Sequence, residues 1–201
     1  MTRFASEYLT LKTFAEYKIE LNAMFSSEEW QRSPFAKKRD GMKVRDIIVA
    51  NPNFWPSVKY CLNCVVPLVK VLRLMDGDAK PAMGYIYEAM DKAKEQIAKS
   101  LGTKKRYKPI WDIIDERWNL QLHRPLHAAA YFLNPRFQYS PDFEADYEIK
   151  KGLYDTIERM CPSPKLREQV DKQLDIFTKA EMMFGINMAI QMRNKKQPGK
   201  S

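Results

Sequence analysis

Glycine is scarce in this chain of 201 residues, at seven, and cysteine scarcer still, at three. With 45% apolar and 12% aromatic residues, so little glycine excludes a disordered or low-complexity chain. An odd, small number of cysteines makes no disulfide framework and points to a reducing compartment. Long hydrophobic runs are missing too. The stretch from Cys61 to Leu74 is broken by Asn63, Pro67, Lys70 and Arg73, short of the ~20 apolar residues a membrane span needs. The first eight residues, Met-Thr-Arg-Phe-Ala-Ser-Glu-Tyr, carry no apolar stretch, so no secretory signal is expected. There is also no alternating Val/Ile/Thr run of strand length and no internal repeat. The length suffices for one substantial domain or two small ones.

What is present is helical periodicity. Tyr8, Leu11, Ala15, Ile19 and Ala23 recur at helical spacing from Phe4 to Phe25. Ser26-Ser27-Glu28-Glu29 reads as a cap with first-turn acids, opening a short helix that carries Trp30 and ends between Pro34 and Lys38. Gly41 separates it from Val44–Ala50. After the Asn51-Pro52-Asn53 turn, the most apolar helix runs from Phe54 to Met75, with Pro56 tolerated in its first turn and Pro67 expected to kink it. Asp76-Gly77-Asp78 stops it. Pro81 opens a helix to about Ser100 with Met83, Ile86, Tyr87, Met90 and Ala93 inward, closed by Gly102. Helices over 109–122 and 125–133 meet at Pro125, and Asn134-Pro135 ends them. Helices over 144–160, 164–184 and 186–192 complete the chain, with Cys161-Pro162-Ser163-Pro164 joining the first two of these. The fold expected is all-α, a bundle of about seven to nine helices. One domain covers 1–192, with a sub-boundary near 134–143, and a disordered basic tail covers 193–201.

Formal charge is +9. Such an excess fits a polyanion partner but does not separate nucleic acid from an acidic protein or membrane surface. Lys37-Lys38-Arg39, Lys104-Lys105-Arg106 and Arg193–Lys196 are the local clusters, each of which also fits an ordinary solvated face.

Three constellations imitate chemical sites. Cys61-Leu-Asn-Cys64 with His123-Arg-Pro-Leu-His127 resembles a zinc set, but nearly sixty residues lie between the halves, against about a dozen in a finger. Cysteine in an apolar helix is usually a small core residue. Asp76-Gly-Asp78 hints at a calcium loop and fails, with Lys80, Pro81 and Tyr87 in ligand or turn positions. Asp112, Asp115 and Glu116 could be metal-binding carboxylates, yet Trp111, Ile114, Trp118 and Leu122 claim one helix face, leaving the acids to a solvated face near Arg117. His123 and His127 have no serine or cysteine placed as a nucleophile, so a structural role is expected for both. No catalytic residue, metal ligand, cofactor or small-molecule substrate emerges.

The segment from Tyr107 to Phe137 is the most particular in the chain: Trp111 and Trp118, His123 and His127, Ala128-Ala129-Ala130, then Leu133-Asn134-Pro135-Arg136-Phe137. It resembles the helical insertion in the RNase H-like catalytic domain of plant hAT-superfamily transposases. The likeness extends in order along nearly the whole chain. Thr2-Arg3-Phe4-Ala5 with Tyr8-Leu9-Thr10-Leu11 is similar to the Thr-Arg-Trp/Phe element that opens the insertion. Phe54-Trp55, Pro67 to Arg73, Asp76-Gly77-Asp78 and Lys80 to Glu88 resemble the helices that follow. Leu133-Asn134-Pro135 resembles the motif before the dimerisation region.

In that family three acidic residues bind two divalent metals for strand cleavage and joining. The resemblance places two of them before the Thr-Arg element and the third after the end of this chain, so none is carried over. The family's BED-type zinc finger is likewise not matched here, and Phe4 stands where many members have Trp. The expectation is an insertion-type domain without its RNase H-like sheet, not an enzyme, nuclear by resemblance and otherwise cytoplasmic. Its DNA contacts would fall on Arg3, Phe4, Lys37, Lys38, Arg39, Lys104, Lys105, Arg106, Arg117 and Arg124. Trp111, Trp118, His123, His127, Asn134 and Pro135 would be the structural motif. The alternatives are a helical interaction module pairing with hAT-family proteins, and a truncated gene product without selected function. No membrane partner is expected.

Overall fold

Helical periodicity carries through to the three-dimensional arrangement. The structure, a computed structural model, describes residues 6–77, 82–122, 124–193 and 195–196. Among them are twelve α-helices and no strand, so the class is all-α with more helices than the spacing suggested. They are α1 (Ser6–Glu16), α2 (Lys18–Ser26), α3 (Glu28–Arg32), α4 (Arg39–Arg45), α5 (Phe54–Met75), α6 (Ile86–Leu101), α7 (Lys104–Arg117), α8 (Pro125–Phe132), α9 (Pro135–Gln138), α10 (Tyr147–Met160), α11 (Pro164–Thr178) and α12 (Asn187–Met192). Two π-helical turns, Asp46–Ala50 and Trp118–Leu122, extend α4 and α7.

The extra helices come from breaks that composition does not announce. The Phe4–Phe25 stretch divides at Tyr17, whose ψ of 24° leaves the helical range although Leu21 N still donates to its carbonyl at 2.9 Å. Its apolar period also fails to find a core, since Ile19 is 80% exposed. Gly41 lies inside α4 rather than before it. A Cβ there would stand 2.0 Å from the Phe35 carbonyl oxygen, so glycine serves close approach instead of helix termination.

Helix α7 starts at Lys104, five residues earlier than Pro109 suggested. The Thr103 carbonyl accepts from Arg106 N and Tyr107 N, and Pro109 is carried in the helix beside exposed Lys105, whose carbonyl water can satisfy. Helix α11 stops at Thr178 instead of 184. Ala180 and Met182 both take left-handed φ values, 53° and 51°, which non-glycine residues seldom adopt and which composition therefore hides. Other expectations hold closely. Ser27 accepts from Trp30 N at 3.1 Å to start α3, α5 runs its full length through a buried Pro67, and Gly102 (φ 78°) ends α6 by donating to Ala98 O.

Two cores result. One joins α6, α8 and α10 through Ile86, Tyr87, Ala128, Ala129, Phe132, Ile149 and Leu153. The other joins α5, α6 and α7 through Cys64, Ile97, Leu101 and Ile114. Full burial of each large aliphatic side chain contributes about 1.5–3 kcal/mol. Helix α6 begins later than Pro81 suggested: Ala82–Tyr85 form a 3-10 turn before it, and Met83, expected inward, is exposed there. At the α8–α10 contact the small residues matter most: Ala128 faces Gly152, where an added Cβ would lie 2.5 Å from the Ala128 methyl.

Candidate functional site

The expected site residues fall into two groups once placed on the helices. Trp111, Trp118 and Asn134 make internal contacts. Trp111 on α7 donates from Nε1 to Lys94 O on α6 at 3.0 Å, and the Lys94 ammonium lies 4.9 Å from its ring centroid. Trp118 meets Tyr87 edge-on, with ring centroids 5.0 Å apart. Asn134 is only 1% exposed. Its amide donates to Gly84 O at 3.1 Å while its carbonyl oxygen accepts from Arg136 N at 3.1 Å, so one side chain caps α9 and ties it to the turn before α6. Pro135 occupies the first position of α9, where its missing N–H is not needed. His127 is half-buried on α8. His123 lies outside the described residues, as do Arg3, Phe4, Asp78, Lys80 and Pro81.

The basic residues form separate exposed groups. Lys37, Lys38 and Arg39 lie before and at the start of α4, with Lys38 5.2 Å from the centroid of Phe35. Lys104, Lys105 and Arg106 fill the first turn of α7, and Arg106 stands 5.7 Å from the Tyr60 centroid, giving a cation beside an aromatic face. None of these six makes an ion pair among the described residues. Arg117 lies at the far end of α7, about 20 Å away at 1.5 Å per residue. Arg124 precedes α8 and is exposed. The structure therefore does not gather Arg117 into one patch with Lys104–Arg106.

Three cations in the first turn of α7, with no acid among them, oppose the positive end of the helix dipole. Composition located this cluster, but only the early helix start exposed its electrostatic conflict.

The acids of α7 do not share one solvated face, contrary to expectation. Asp112 pairs with Lys108 in the open. Asp115 turns to α6 and meets Lys94 at 2.6 Å, because Trp111 and Ile114 anchor that side of α7 against α6. It borders a polar cavity with Tyr87, Asp91, Asp146 and Glu148, four residues that sequence reasoning did not single out as a site. They come from helices far apart in the chain, so no spacing could signal them.

The cysteines of the C-x-x-C separate, Cys64 buried and Cys61 exposed, and burial pushes the Cys64 thiol pKa up. Among the described residues no three His, Cys, Asp or Glu side chains stand close enough to hold a metal ion. Among them, too, no helix is long and apolar enough to cross a membrane.

Arg193, expected to open a disordered tail, lies 3.7 Å from the Tyr139 ring centroid and donates to Phe184 O at 2.8 Å. Residues 194 and 197–201 of that tail lie outside the described residues. No protein-family model, curated protein or solved structure matches this chain.

Proposed function

We propose that this chain is a non-catalytic helical module of hAT-transposase type that works by packing apolar helix faces against another protein of that kind. Its accessible surface carries the reading. It amounts to 14733 Å² at 23.6 kDa, where a compact monomer of that mass exposes about 9,800 Å². Exposed large apolar side chains run close together along the chain in two places. Phe35, Met42, Val44, Ile47 and Val49 crowd α4 and its π-helical extension, while Met182, Met183, Phe184, Ile186, Met188 and Ile190 crowd the segment around α12. Patches of this kind mark protein contacts, and methionine-rich ones adapt to a partner's shape. By the family resemblance the partner is an hAT-type transposase or its RNase H-like sheet, and the place is the nucleus.

Sedimentation of the full chain mixed with such a transposase tests this. A complex is expected, weakened about ten-fold by Ile190→Lys, a loss near 1.4 kcal/mol. No complex, with the chain remaining a monomer, removes the reading.

A second reading, DNA-backbone contact, draws on the first turn of α7. Phosphates there would answer three cations that the helix dipole otherwise opposes, beside the Tyr60 ring. Replacing Lys104 and Lys105 by Glu should then lower the slope of log affinity against log salt by about 2 on duplex DNA. Failure of the unaltered chain to shift any DNA at low salt ends this reading.

A further inference from the structure

Helix α12 and the turn after it close a cavity of about 210 Å³ against α9. Its wall is apolar: Pro135 and Tyr139 at the two ends of α9, Phe184 from the turn before α12, and Ala189 and Met192 from α12 itself. An apolar cavity of roughly 150 Å³ takes a benzene molecule, so this one has room for a ring and a short chain.

The charge at this cavity is of one sign. Arg193 and Lys196 border it, and no acid does. Arg193 N donates to Ala189 O at 3.1 Å and Lys196 N to Met192 O at 2.9 Å, so helical spacing brings these four residues to the cavity side. Neither cation makes an ion pair among the described residues. Asn134 also borders the cavity, but its amide is committed to Gly84 O and Arg136 N. Tyr139 supplies no counter-charge: its hydroxyl donates to Phe177 O, and burial raises its pKa in spite of Arg193 beside it.

Arg193 is also held in place. It stacks 3.7 Å from the Tyr139 ring centroid and donates from Nη2 to Phe184 O at 2.8 Å, while its buried Nε completes no hydrogen bond among the described residues. A guanidinium has five N–H donors, and a half-buried one without a counter-ion is costly. A fixed cation thus stands beside an apolar wall, with its charge unanswered.

We infer that this cavity binds a small carboxylic acid with an apolar body, its carboxylate accepting from the Arg193 guanidinium and pairing with Lys196, and its body lying against Tyr139, Phe184 and Met192. Hydrogen bonds from a guanidinium to a carboxylate are charge-assisted and well matched in shape. The chain's charge of +9 draws anions in general, and the apolar wall selects among them. Ile190, whose replacement tests the interaction proposed above, does not line this cavity, so the two readings fail separately.

Calorimetry and thermal unfolding of the full 201-residue chain with hydrocinnamate, octanoate, hydrocinnamyl alcohol and acetate test this. One hydrocinnamate or octanoate per chain should bind and raise Tm, and the tighter of the two shows whether the body is aryl or alkyl. The alcohol has the body without the charge, and acetate the charge without the body. Each should bind about ten-fold more weakly or worse. Arg193→Gln should weaken hydrocinnamate binding about ten-fold or more. Because Arg193 also holds Phe184, two variants outside that contact accompany it. Lys196→Gln, at an exposed position, should weaken the carboxylates about three-fold. Ala189→Phe should fill the cavity and abolish binding while helical circular dichroism stays unchanged. The inference is overturned if neither carboxylate binds, if the alcohol or acetate binds as tightly, or if Arg193→Gln and Ala189→Phe both bind like the unaltered chain.

Discussion

Replacing Gly152 by Ala sets a local preference against a tertiary one. In a helix interior alanine is favoured over glycine by about 1 kcal/mol, so α10 taken alone would gain. Against α8 the sign reverses. The new methyl would stand 2.5 Å from the Ala128 Cβ and 3.3–3.4 Å from Pro125 backbone atoms, while carbon atoms rest at about 3.5–4.0 Å. Neither methyl has a rotamer to move, so the helices must part by about 1 Å. That loosens Ala128, Ala129, Ile149 and Leu153, all buried in the same core.

Overpacking of this kind costs about 1–3 kcal/mol, and rigid contacts put it near the upper end. The net loss should be about 1–2 kcal/mol, or roughly 2–8 °C in Tm for a chain of this size. Urea unfolding followed by helical circular dichroism measures it. Ala128→Gly alone should cost about 2 kcal/mol, from helix propensity and one lost methyl. Together the two substitutions should recover at least ~1 kcal/mol of their summed loss, because the methyl added on α10 takes the space vacated on α8. A Gly152→Ala chain as stable as the original, or a cycle additive within ~0.5 kcal/mol, would refute the packing argument.

Asn134→Ala removes the α9 cap, about 1 kcal/mol, and strands the Gly84 carbonyl, about 1–3 kcal/mol more. A combined loss of about 2–4 kcal/mol in denaturant unfolding is expected, and a loss below ~1 kcal/mol would mean that water replaces the side chain. Alkaline pH should destabilise the fold. Burial, with Glu88, Asp91 and Asp146, pushes the Tyr131 pKa from 10 to about 12. The folded state thus favours the neutral phenol, and that stability is complete below pH 10 and lost as pH rises through about 12. Tyr131→Phe should flatten the decline of Tm across that window, and an unchanged slope would show that other groups govern it.

How much was legible depended on whether one segment carried its own signal. The cap at Ser27, the full span of α5 and the Gly102 stop could be read because each depends on residues within a turn of one another. The end of α11 could not, since Ala180 and Met182 adopt left-handed backbone where glycine would have announced it. Gly41 misled for the opposite reason: a glycine usually marks a boundary, and here it makes room for the Phe35 carbonyl. At the candidate sites, the Lys104–Arg106 cluster was visible as composition, but its conflict with the α7 dipole awaited the true helix start.

By itself, then, the chain's periodicity and scarcity of strand-forming runs determined an all-α protein and the starts of α3, α5, α8 and α11, because those follow from backbone hydrogen bonding and side-chain spacing over a few residues. Tertiary structure alone decided which faces were buried. Ile19 keeps a helical period and yet is exposed, while Asp115 looks solvated and yet reaches Lys94. It also decided that Tyr87, Asp91, Asp146 and Glu148 share one cavity. A helix's period says which residues lie together on it, and only its neighbours decide whether that side meets protein or water.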